Sequence, residues 1–247
     1  MTVIYQPKGR ALEYSPLACN LYIGCTHGCK YCYAPACIHK PSEDWGKNVY
    51  ARDGILESFD KDCAYLAKHN INDEAHRVLF CFLSDPYQPL ESSRRITRKA
   101  LQIAKKWAVK VSVLTKGTYQ RVKPDLPLMK DADVKLGVTL SFTNDILRKQ
   151  WEPNAASVQS RLRLLREAHA LGIQTWVSME PVIIPNEALR VIKRAHEFVD
   201  FWKIGKLNHN RDIEATVDWP RFRDDVKMLL EKYHCNYYIK EDLRNAK

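Results

Sequence analysis

Strand-like and helix-like segments alternate along most of this 247-residue chain, and this alternation limits the folds open to it. The strand-like segments are short runs of apolar and β-branched residues, whereas the helix-like segments repeat apolar residues every three or four positions. The predicted strands are 17–23, 78–83, 109–114, 134–140, 175–177, 201–204 and 236–239, and the predicted helices are 55–68, 94–107, 158–171, 187–198 and 219–233. Repeated strand–helix units predict an α/β fold built on a parallel sheet.

The helix predicted at 158–171 shows the pattern most plainly. Its apolar residues form one stripe, Ser157 precedes it as a candidate N-cap, and Gly172 ends it. Arg161 and Arg163 fall largely off that stripe, which predicts a basic face turned away from the core.

Neither a low-complexity tract nor a short repeat divides the chain, so we predict one domain spanning residues 1–247. Its architecture is either a partial (β/α) barrel or an open doubly wound sheet. The barrel core would cover about residues 15–210, and a C-terminal helix and short strand would follow at 219–240. Residues 24–54 are the longest stretch without clear periodicity, and long loops in compact domains are usually functional or disordered.

Composition and charge narrow the function classes. Hydrophobic residues make up 45% of the chain and charged residues 28%, as in ordinary globular proteins. No apolar run approaches the ~18 residues of a membrane helix, and residues 1–14 lack the apolar segment of a signal peptide, so we expect a cytoplasmic protein without a membrane partner. Lys plus Arg exceed Asp plus Glu by 39 − 29 = 10, which predicts attraction to nucleic acid or to an acidic protein.

Five of the eight cysteines lie within residues 19–37, and 24–37 form the candidate cluster loop. The central run is Cys25-Thr-His-Gly-Cys29-Lys-Tyr-Cys32, a C-x3-C-x2-C spacing. Without an export signal, these cysteines predict reduced thiols or metal ligands instead of disulfides. Three cysteinates on one loop suit a cubane of four irons whose fourth iron has no protein thiolate.

Two alternatives to an iron–sulfur cluster remain open. One is a set of buried structural thiols that bind nothing. The other is a tetrahedral zinc site that uses Cys29 and Cys32 together with two further ligands. The candidates for those further ligands are His27, His39, Cys19 and Cys37.

The cysteine spacing, with an aromatic residue directly before the third cysteine, resembles the radical S-adenosylmethionine (SAM) superfamily. Other motifs are similar to its spore photoproduct lyase-like branch. These motifs are Tyr31 and Tyr33 beside Cys32, residues 84–89 after the second strand, Thr115-Lys116 after the third, and residues 151–154 followed by 161–162. The resemblance covers about residues 15–210 and implies a partial (β/α)6-type radical SAM barrel with a parallel sheet.

The resemblance also implies two cofactors, a [4Fe–4S] cluster and SAM. In the superfamily the open iron chelates SAM, and the reduced cluster passes one electron to the sulfonium to give methionine and a 5′-deoxyadenosyl radical. Cys25, Cys29 and Cys32 would be the cluster ligands. The residues assigned to SAM are Tyr31 near the adenine, Ser84 near the amino group with Asp85 beside it, Lys116 against the carboxylate and Ser141 near the ribose.

Spore photoproduct lyases repair a methylene-bridged thymine dimer and return a hydrogen through a cysteine and two tyrosines, which implies Tyr31, Tyr33 and Cys81 as catalytic candidates. Phe82 stands at the position of the family's donor cysteine, with Cys81 next to it. Because neighbouring strand residues point to opposite faces, we expect Cys81 to face away from the site unless a bulge re-aims it. This offset weighs against photoproduct repair itself. So does the short stretch before the cluster, where repair enzymes carry an N-terminal domain.

The leading hypothesis is therefore a radical SAM enzyme that abstracts hydrogen from a nucleobase in nucleic acid. Modification of a peptide or protein is the second hypothesis, which we rank lower. Such enzymes carry an additional cysteine-rich domain, and only Cys63, Cys81 and Cys235 lie outside residues 19–37. A metal-containing nucleic-acid-binding module is the non-enzymatic alternative.

Basic and aromatic residues predict partners. The basic segments 94–95, 98–99 and 105–106, with Arg161, Arg163 and Arg166, are either solvated surface, phosphate contacts or a docking face for an acidic flavodoxin or ferredoxin. Aromatic candidates for stacking a base are Tyr33, Trp45, Tyr50, Tyr87, Tyr119 and Trp151. Lys203, Lys206 and Asn208 are candidates for reaching the substrate. The sequence indicates no oligomeric state.

Overall fold

Strands form two sheets in the part of the chain that the computed structural model describes, residues 2–41, 44–208 and 210–246. They are β1 (Ile4–Tyr5), β2 (Leu17–Cys19), β3 (Tyr22–Ile23), β4 (Tyr50–Ala51), β5 (Val78–Phe80), β6 (Val111–Thr115), β7 (Lys135–Thr139), β8 (Thr175–Val182), β9 (Phe201–Lys206) and β10 (Tyr237–Ile239). Eight of these strands form one sheet in the order β1-β2-β5-β6-β7-β8-β9-β10. The other two, β3 and β4, pair with each other.

Helices connect the strands of the large sheet. They are α1 (Ala34–Cys37), α2 (Ile55–Lys68), α3 (Glu91–Arg94), α4 (Ile96–Lys106), α5 (Tyr119–Val122), α6 (Leu126–Asp131), α7 (Asp145–Trp151), α8 (Val158–Ala170), α9 (Pro185–Ala195), α10 (Arg211–Glu214), α11 (Trp219–Lys232) and α12 (Glu241–Arg244). Short 3₁₀ helices lie at Gly9–Glu13, Glu74–His76, Lys123–Asp125 and His196–Phe198. None of the described helices is long and apolar enough to cross a membrane.

The order of the strands identifies the architecture. All neighbours from β2 to β10 are parallel, and β1 is antiparallel to β2. Because strand order follows chain order, every crossover steps in the same direction, and right-handed crossovers then place the helices on one face. A doubly wound sheet would reverse its order and carry helices on both faces. The fold is therefore an open, partial barrel of the predicted class, with β1 and β10 at its edges.

Side chains of the large sheet alternate between two apolar layers. Ala18, Leu79 and Trp176 form an inner cluster, whereas their neighbours Val78 and Phe80 belong to the larger core. Gly137 in β7 leaves room for the inner layer, because a Cβ there would lie 2.2 Å from the Trp176 ring. The sequence of β7 therefore carries glycine inside a strand where packing against an indole requires it.

The predicted strand 17–23 is divided into β2 and β3. Between them, Asn20 Oδ1 accepts hydrogen bonds from the backbone N–H groups of Phe82 and Leu83, each at 2.9 Å. These side-chain bonds take the place of further strand pairing. The predicted strand 78–83 accordingly ends at Phe80.

The predicted helix 94–107 is also divided. Arg95 has a φ of 52°, a left-handed conformation that separates α3 from α4. The Glu91 carboxylate accepts from the N–H groups of Thr97 at 3.0 Å and Arg98 at 3.2 Å, so a side chain six residues back caps α4.

Candidate active site

The carboxyl ends of the parallel strands open into a cavity of about 780 Å³. Loops after different strands meet at this end of an α/β barrel, so residues far apart in sequence come together there. Nine of the ten residues predicted for the site line the cavity: Cys25, Cys29, Tyr31, Cys32, Tyr33, Cys81, Ser84, Asp85 and Lys116. We call the part built from residues 25–33, 84–85 and 115–116 the cysteine wall. Ser141 is buried and is not among the lining residues.

Gly24 lets the cluster loop, residues 24–37, lie close against the backbone of residues 45–48. Gly24 has a φ of +79°, and a Cβ on it would lie 2.8 Å from the carbonyl oxygens of Trp45 and Asn48. Within the loop, Cys32 N donates to Cys29 O at 3.1 Å, so a tight turn brings the second and third cysteines of the motif together. Glycine is therefore required where the loop begins.

Free thiols make up the donor set of the cysteine wall. Burial raises the pKa of Cys29 to about 11, and it also raises the pKa of Cys25 and of Cys32, so metal binding would release protons. Among the described residues, no three His, Cys, Asp or Glu side chains come close enough to hold a single metal ion. Cluster thiolates bind different irons, so three separate thiols in one cavity fit a [4Fe–4S] cluster.

Asp85, which follows β5, contacts both the cluster loop and the end of β6. Its carboxylate accepts from Thr115 Oγ1 and from Lys116 N, both at 2.6 Å, and from Tyr87 N at 2.8 Å. His27 Nε2 lies 3.0 Å from Asp85 Oδ2. Burial alone would raise the pKa of Asp85, but the His27 imidazole and these hydrogen bonds hold it below its usual range. The contacts described for Asp85 therefore all brace the wall from within the protein.

Behind the cysteine wall lies a buried ion pair. Tyr31 donates its hydroxyl hydrogen to Glu152, and Glu152 pairs with Arg161. The side chain of Glu152 is 0% exposed and that of Arg161 is 1% exposed. Arg161 also donates to Thr139 O at 2.7 Å and to Ala156 O at 3.0 Å, so one guanidinium links β7 to the segment before α8.

The prediction that Arg161 belongs to a basic surface is therefore wrong. The buried carboxylate of Glu152 draws this guanidinium into the protein, although the helical period places it off the apolar stripe. Arg163 does lie at the surface, where it pairs with Glu167 at 2.8 Å. Ser157 is the N-cap of α8, as predicted, and accepts from Ser160 N at 3.2 Å.

Lys116 supplies a positive charge beside the thiols. Its Nζ lies 5.6 Å from the centroid of the Tyr31 ring. Burial alone would lower the pKa of Lys116, but Cys29 and Glu152 outweigh burial and raise it. A cation in the same cavity as the cysteines fits a ligand carboxylate.

Two serines were predicted to contact SAM, and the structure places them differently. Ser84 lines the cavity, donates to Gly24 O at 2.6 Å and accepts from Gln88 Nε2 at 3.0 Å. Ser141 Oγ is buried without a hydrogen-bond partner among the described residues. A buried hydroxyl without a partner is rare in native proteins, so a ligand atom within its reach would satisfy it.

Tyr33 and Cys81 differ in their exposure to the cavity. Tyr33 is 46% exposed and donates its hydroxyl hydrogen to Phe82 O at 2.8 Å. Cys81 borders the cavity but is 5% exposed and belongs to the main core together with Cys19. The Cys81 thiol is therefore largely covered, whereas the Tyr33 ring is accessible.

Of the six aromatic residues predicted near the mouth, Tyr33 and Trp45 line the cavity. Tyr87 and Tyr119 are buried, with their hydroxyl groups bonded to Asp125 and Glu167. Tyr50 and Trp151 lie outside the lining. Packing of the helices against the sheet therefore accounts for Tyr87 and Tyr119.

Across the cavity stands a second group that sequence reasoning mostly missed, which we call the opposite wall. Its members are Lys8, Arg10, Tyr14, Ser178, Glu180, Lys206, Asn208 and Lys240. Tyr14 donates to Glu180 Oε2 at 2.5 Å, and its hydroxyl lies 2.7 Å from Ser178 Oγ. Lys240 donates to both Glu180 oxygens, at 2.8 and 2.9 Å. These residues share no motif, because they come from four distant segments; only Lys206 and Asn208 were candidates.

Lys203, the third candidate of that group, serves the fold instead. Its Nζ donates to Glu13 O at 2.5 Å and to Tyr14 O at 2.7 Å. Glu13 Oε2 in turn accepts from Tyr238 OH at 3.0 Å and from Glu241 N at 2.9 Å. The 3₁₀ segment before Tyr14 thereby bridges the two edges of the open barrel.

Comparison with known proteins agrees with this geometry. The sequence model described as "Radical SAM superfamily" matches residues 19–199. The chain is 28% identical to an uncharacterized protein of Methanocaldococcus jannaschii over 234 residues, which covers 92% of this chain and 85% of that protein. It is also 28% identical to an uncharacterized protein of Acidianus two-tailed virus, over 88% of this chain and 80% of the relative.

Solved structures are similar in fold. Spore photoproduct lyase with bound AdoMet and dinucleoside spore photoproduct superposes with a TM-score of 0.70 at 13% identity, over 96% of this chain and 78% of that one. SuiB from Streptococcus suis bound to S-adenosylmethionine gives a TM-score of 0.66 at 9% identity, over 90% of this chain. The chain spans about half the length of SuiB, 49%.

Proposed function

This chain belongs to the radical SAM superfamily, whose enzymes use a [4Fe–4S] cluster and SAM, and on that premise we propose that it abstracts hydrogen from a nucleobase in nucleic acid. Cys25, Cys29 and Cys32 would hold the cluster. When bound, the reduced cluster supplies one electron to the sulfonium of SAM, and SAM supplies the group that abstracts the hydrogen. The observation that carries the proposal is the cavity that joins the three thiols, Lys116 and the opposite wall.

The polar residues of the cysteine wall would orient SAM. Lys116 would bind the carboxylate, and the Tyr31 ring beneath its ammonium would pack near the adenine. Ser84 and Asp85 would line the amino group, with Asp85 acting through the backbone it braces. The Ser141 hydroxyl, buried without a described partner, would bond to the ribose.

Charge supports a nucleic acid substrate. The net charge of +10 favours a polyanion, and exposed Tyr33 beside the cysteines offers a surface for a base. Fold likeness does not separate substrates, since spore photoproduct lyase binds a dinucleoside and SuiB has been solved with precursor peptide SuiA. Modification of a peptide therefore stays the competing proposal.

An acidic flavodoxin or ferredoxin would deliver the electron. Two exposed lysines would attract such a carrier: Lys30 within the cluster loop and Lys40 just after it. Raising the salt concentration should then slow reduction by the carrier but not reduction by dithionite.

Cys29→Ala tests the cluster assignment. The anaerobically reconstituted protein, given SAM and dithionite, should form 5′-deoxyadenosine detectable by mass spectrometry, with and without an oligonucleotide. Cys29→Ala should abolish this product, because only two of the three thiols assigned to the cluster would remain. Cys235→Ala is the matched control, since that half-buried cysteine precedes β10 at the other end of the strands, and it should react like wild type.

Retained turnover in Cys29→Ala would contradict the assignment of the ligands. Wild-type protein that carries four irons and forms no 5′-deoxyadenosine would contradict the proposed chemistry.

A further inference from the structure

We propose that the opposite wall is a nucleotide-binding subsite, where Glu180 accepts a hydrogen bond from an N–H group on the base edge and Lys8 and Arg10 bind the adjoining phosphate. This inference rests on the proposed function and names the surface that presents the substrate to the cysteine wall.

Glu180 is a fixed acceptor. Lys240 donates to both of its oxygens and Tyr14 to one of them. Gly205 makes room for the carboxylate, because a Cβ there would lie 2.8 Å from Glu180 Cδ. The Glu180 side chain nevertheless remains 17% exposed and lines the cavity. A carboxylate has about four acceptor positions, so one that is held by three donors can still accept from a ligand.

Aromatic rings connect Glu180 to the cysteine wall. The Tyr14 ring packs edge-on against Phe82, with centroids 6.1 Å apart. The carbonyl oxygen of Phe82 holds the Tyr33 hydroxyl at 2.8 Å. The Tyr33 ring is thus oriented by its hydroxyl and accessible on the cavity side, which is the arrangement of a platform for stacking a base.

Positive charge dominates the cavity lining. Six cations line it, Lys8, Arg10, Lys30, Lys116, Lys206 and Lys240, against two acids, Asp85 and Glu180. Asp85 accepts hydrogen bonds from Thr115, Lys116 N and Tyr87 N, and Glu180 pairs with Lys240, so protein donors occupy both acids. The cavity therefore favours an anionic ligand that also carries an aromatic ring.

Lys8 and Arg10 lie on the segment that bridges the edges of the barrel. The Arg10 side chain is 58% exposed and lies 3.4 Å from Asp242. The Asp242 carboxylate is nearly buried but also accepts from Asn208 Nδ2 and Leu243 N, both at 2.8 Å, so Arg10 can turn to a phosphate without leaving Asp242 unpartnered. Lys203 and Tyr238 hold this segment through Glu13, so the backbone that carries both cations is fixed.

Fluorescence anisotropy with a fluorescein-labelled single-stranded oligothymidylate tests the phosphate contacts on the reconstituted holoprotein with SAM. The double variant Lys8→Ser, Arg10→Ser should weaken binding roughly tenfold at 0.1 M salt and lower the salt slope by about 1.4, the value for two single-strand phosphate contacts. The control Lys99→Ser, Lys105→Ser removes equal charge from α4, outside the cavity, and should change affinity less than about twofold.

Equal losses in the two double variants would overturn the subsite, since binding would then follow total charge or the α4 surface. An acidic peptide that displaces the oligonucleotide at equal concentration would overturn it in favour of a peptide ligand.

A second probe tests Glu180 without any substitution. Wild-type protein should bind oligothymidylate at least several-fold more tightly than an oligonucleotide of N3-methylthymidine, which lacks the base N–H. Glu180→Gln should lose this preference, because Lys240 and Tyr14 would hold the amide oxygen and turn its NH₂ toward the base. Equal binding of the two probes by wild type would refute the role of Glu180.

The two proposals fail separately. Wild type that forms no 5′-deoxyadenosine contradicts the proposed function. Wild type that forms 5′-deoxyadenosine but binds neither probe contradicts only the subsite.

Discussion

The two walls of the cavity are built in different ways. The cysteine wall takes its three thiols from eight consecutive positions, 25–32, and the buried Glu152–Arg161 ion pair lies behind them. The opposite wall takes Tyr14, Glu180 and Lys240 from distant segments that only the barrel brings together. A site carried by one loop can be identified from the spacing of its residues, whereas a site assembled by topology cannot.

The walls also differ in how water reaches their charges. Glu152 and Arg161 are fully buried, so loss of either partner would leave a charge that no solvent can stabilise. In the opposite wall the Arg10 side chain is 58% exposed and that of Glu180 17%, so water reaches the two side chains that face the cavity. We therefore expect substitutions behind the cysteine wall to affect folding, and substitutions in the opposite wall to affect ligand binding.

Arg161→Met should have the largest effect on stability. The change leaves the Glu152 carboxylate buried without its partner and removes donors from Thr139 O and Ala156 O. The free energy of unfolding should fall by about 3–5 kcal/mol, measured by urea unfolding of the apoprotein. Arg163→Met, two residues along the same helix, is the control and should unfold near wild type because Arg163 is exposed.

An Arg161→Met protein that unfolds at the wild-type urea concentration would show that the ion pair does not hold the cysteine wall. The comparison between the walls would then lose its energetic basis.

Arg161 also marks the limit of prediction from the sequence. The strand and helix alternation predicted the sheet, the single-direction order fits the predicted barrel, and the cysteine spacing indicated the chemistry. The helical period, however, placed Arg161 at the surface, because a periodicity weighs a residue's own polarity and cannot see a partner nine residues earlier. Asn20 divided a predicted strand for the same reason, since its partners Phe82 and Leu83 are more than sixty residues away.

Alanine at one glycine in each wall provides a matched pair. Gly24→Ala would place a Cβ 2.8 Å from two backbone carbonyl oxygens, and it would put an alanine at a φ of +79°. Because both the contact and the torsion involve backbone, neither can be relieved by a side-chain movement. We expect a loss of about 2–3 kcal/mol and less iron bound per chain. Gly205→Ala would press on the Glu180 side chain and not on backbone, so relief would require its bonds to Tyr14 and Lys240 to lengthen; the loss should be about 1–2 kcal/mol with iron content unchanged.

Iron analysis beside urea unfolding separates the two variants. A Gly205→Ala protein that loses iron as Gly24→Ala does would show that the walls are coupled, contrary to the comparison.

Most opposite-wall residues escaped prediction because nothing local links them; Lys206 and Asn208 are the two that the sequence indicated. Lys203 and Lys206 flank Gly205 in one strand and looked equivalent in sequence. The register of β9 against β8 turns Lys203 toward the bridging segment, whereas Lys206 lies beyond the bulge near Val182 and reaches the cavity. Register and bulges depend on strand pairing, which one sequence does not reveal.

The smallest predicted effect is a pH dependence that belongs to the segment behind the opposite wall. Burial, and then the positive charge of Lys240, lower the pKa of Lys203 to about 8, although Glu13 and Glu180 oppose the shift. Above that pH the folded state has lost a proton that the unfolded chain keeps up to about 10.5, so this group adds stability as pH rises.

The unfolding free energy of wild type minus that of Lys203→Met should therefore increase between pH 7 and 8.5, by less than about 1 kcal/mol. Using the difference cancels the tyrosines and cysteines, whose raised pKa values act in the opposite direction. A difference that stays flat or falls over this range would mean that Lys203 keeps its proton and that the bridge to Glu13 is more solvated than the contacts indicate.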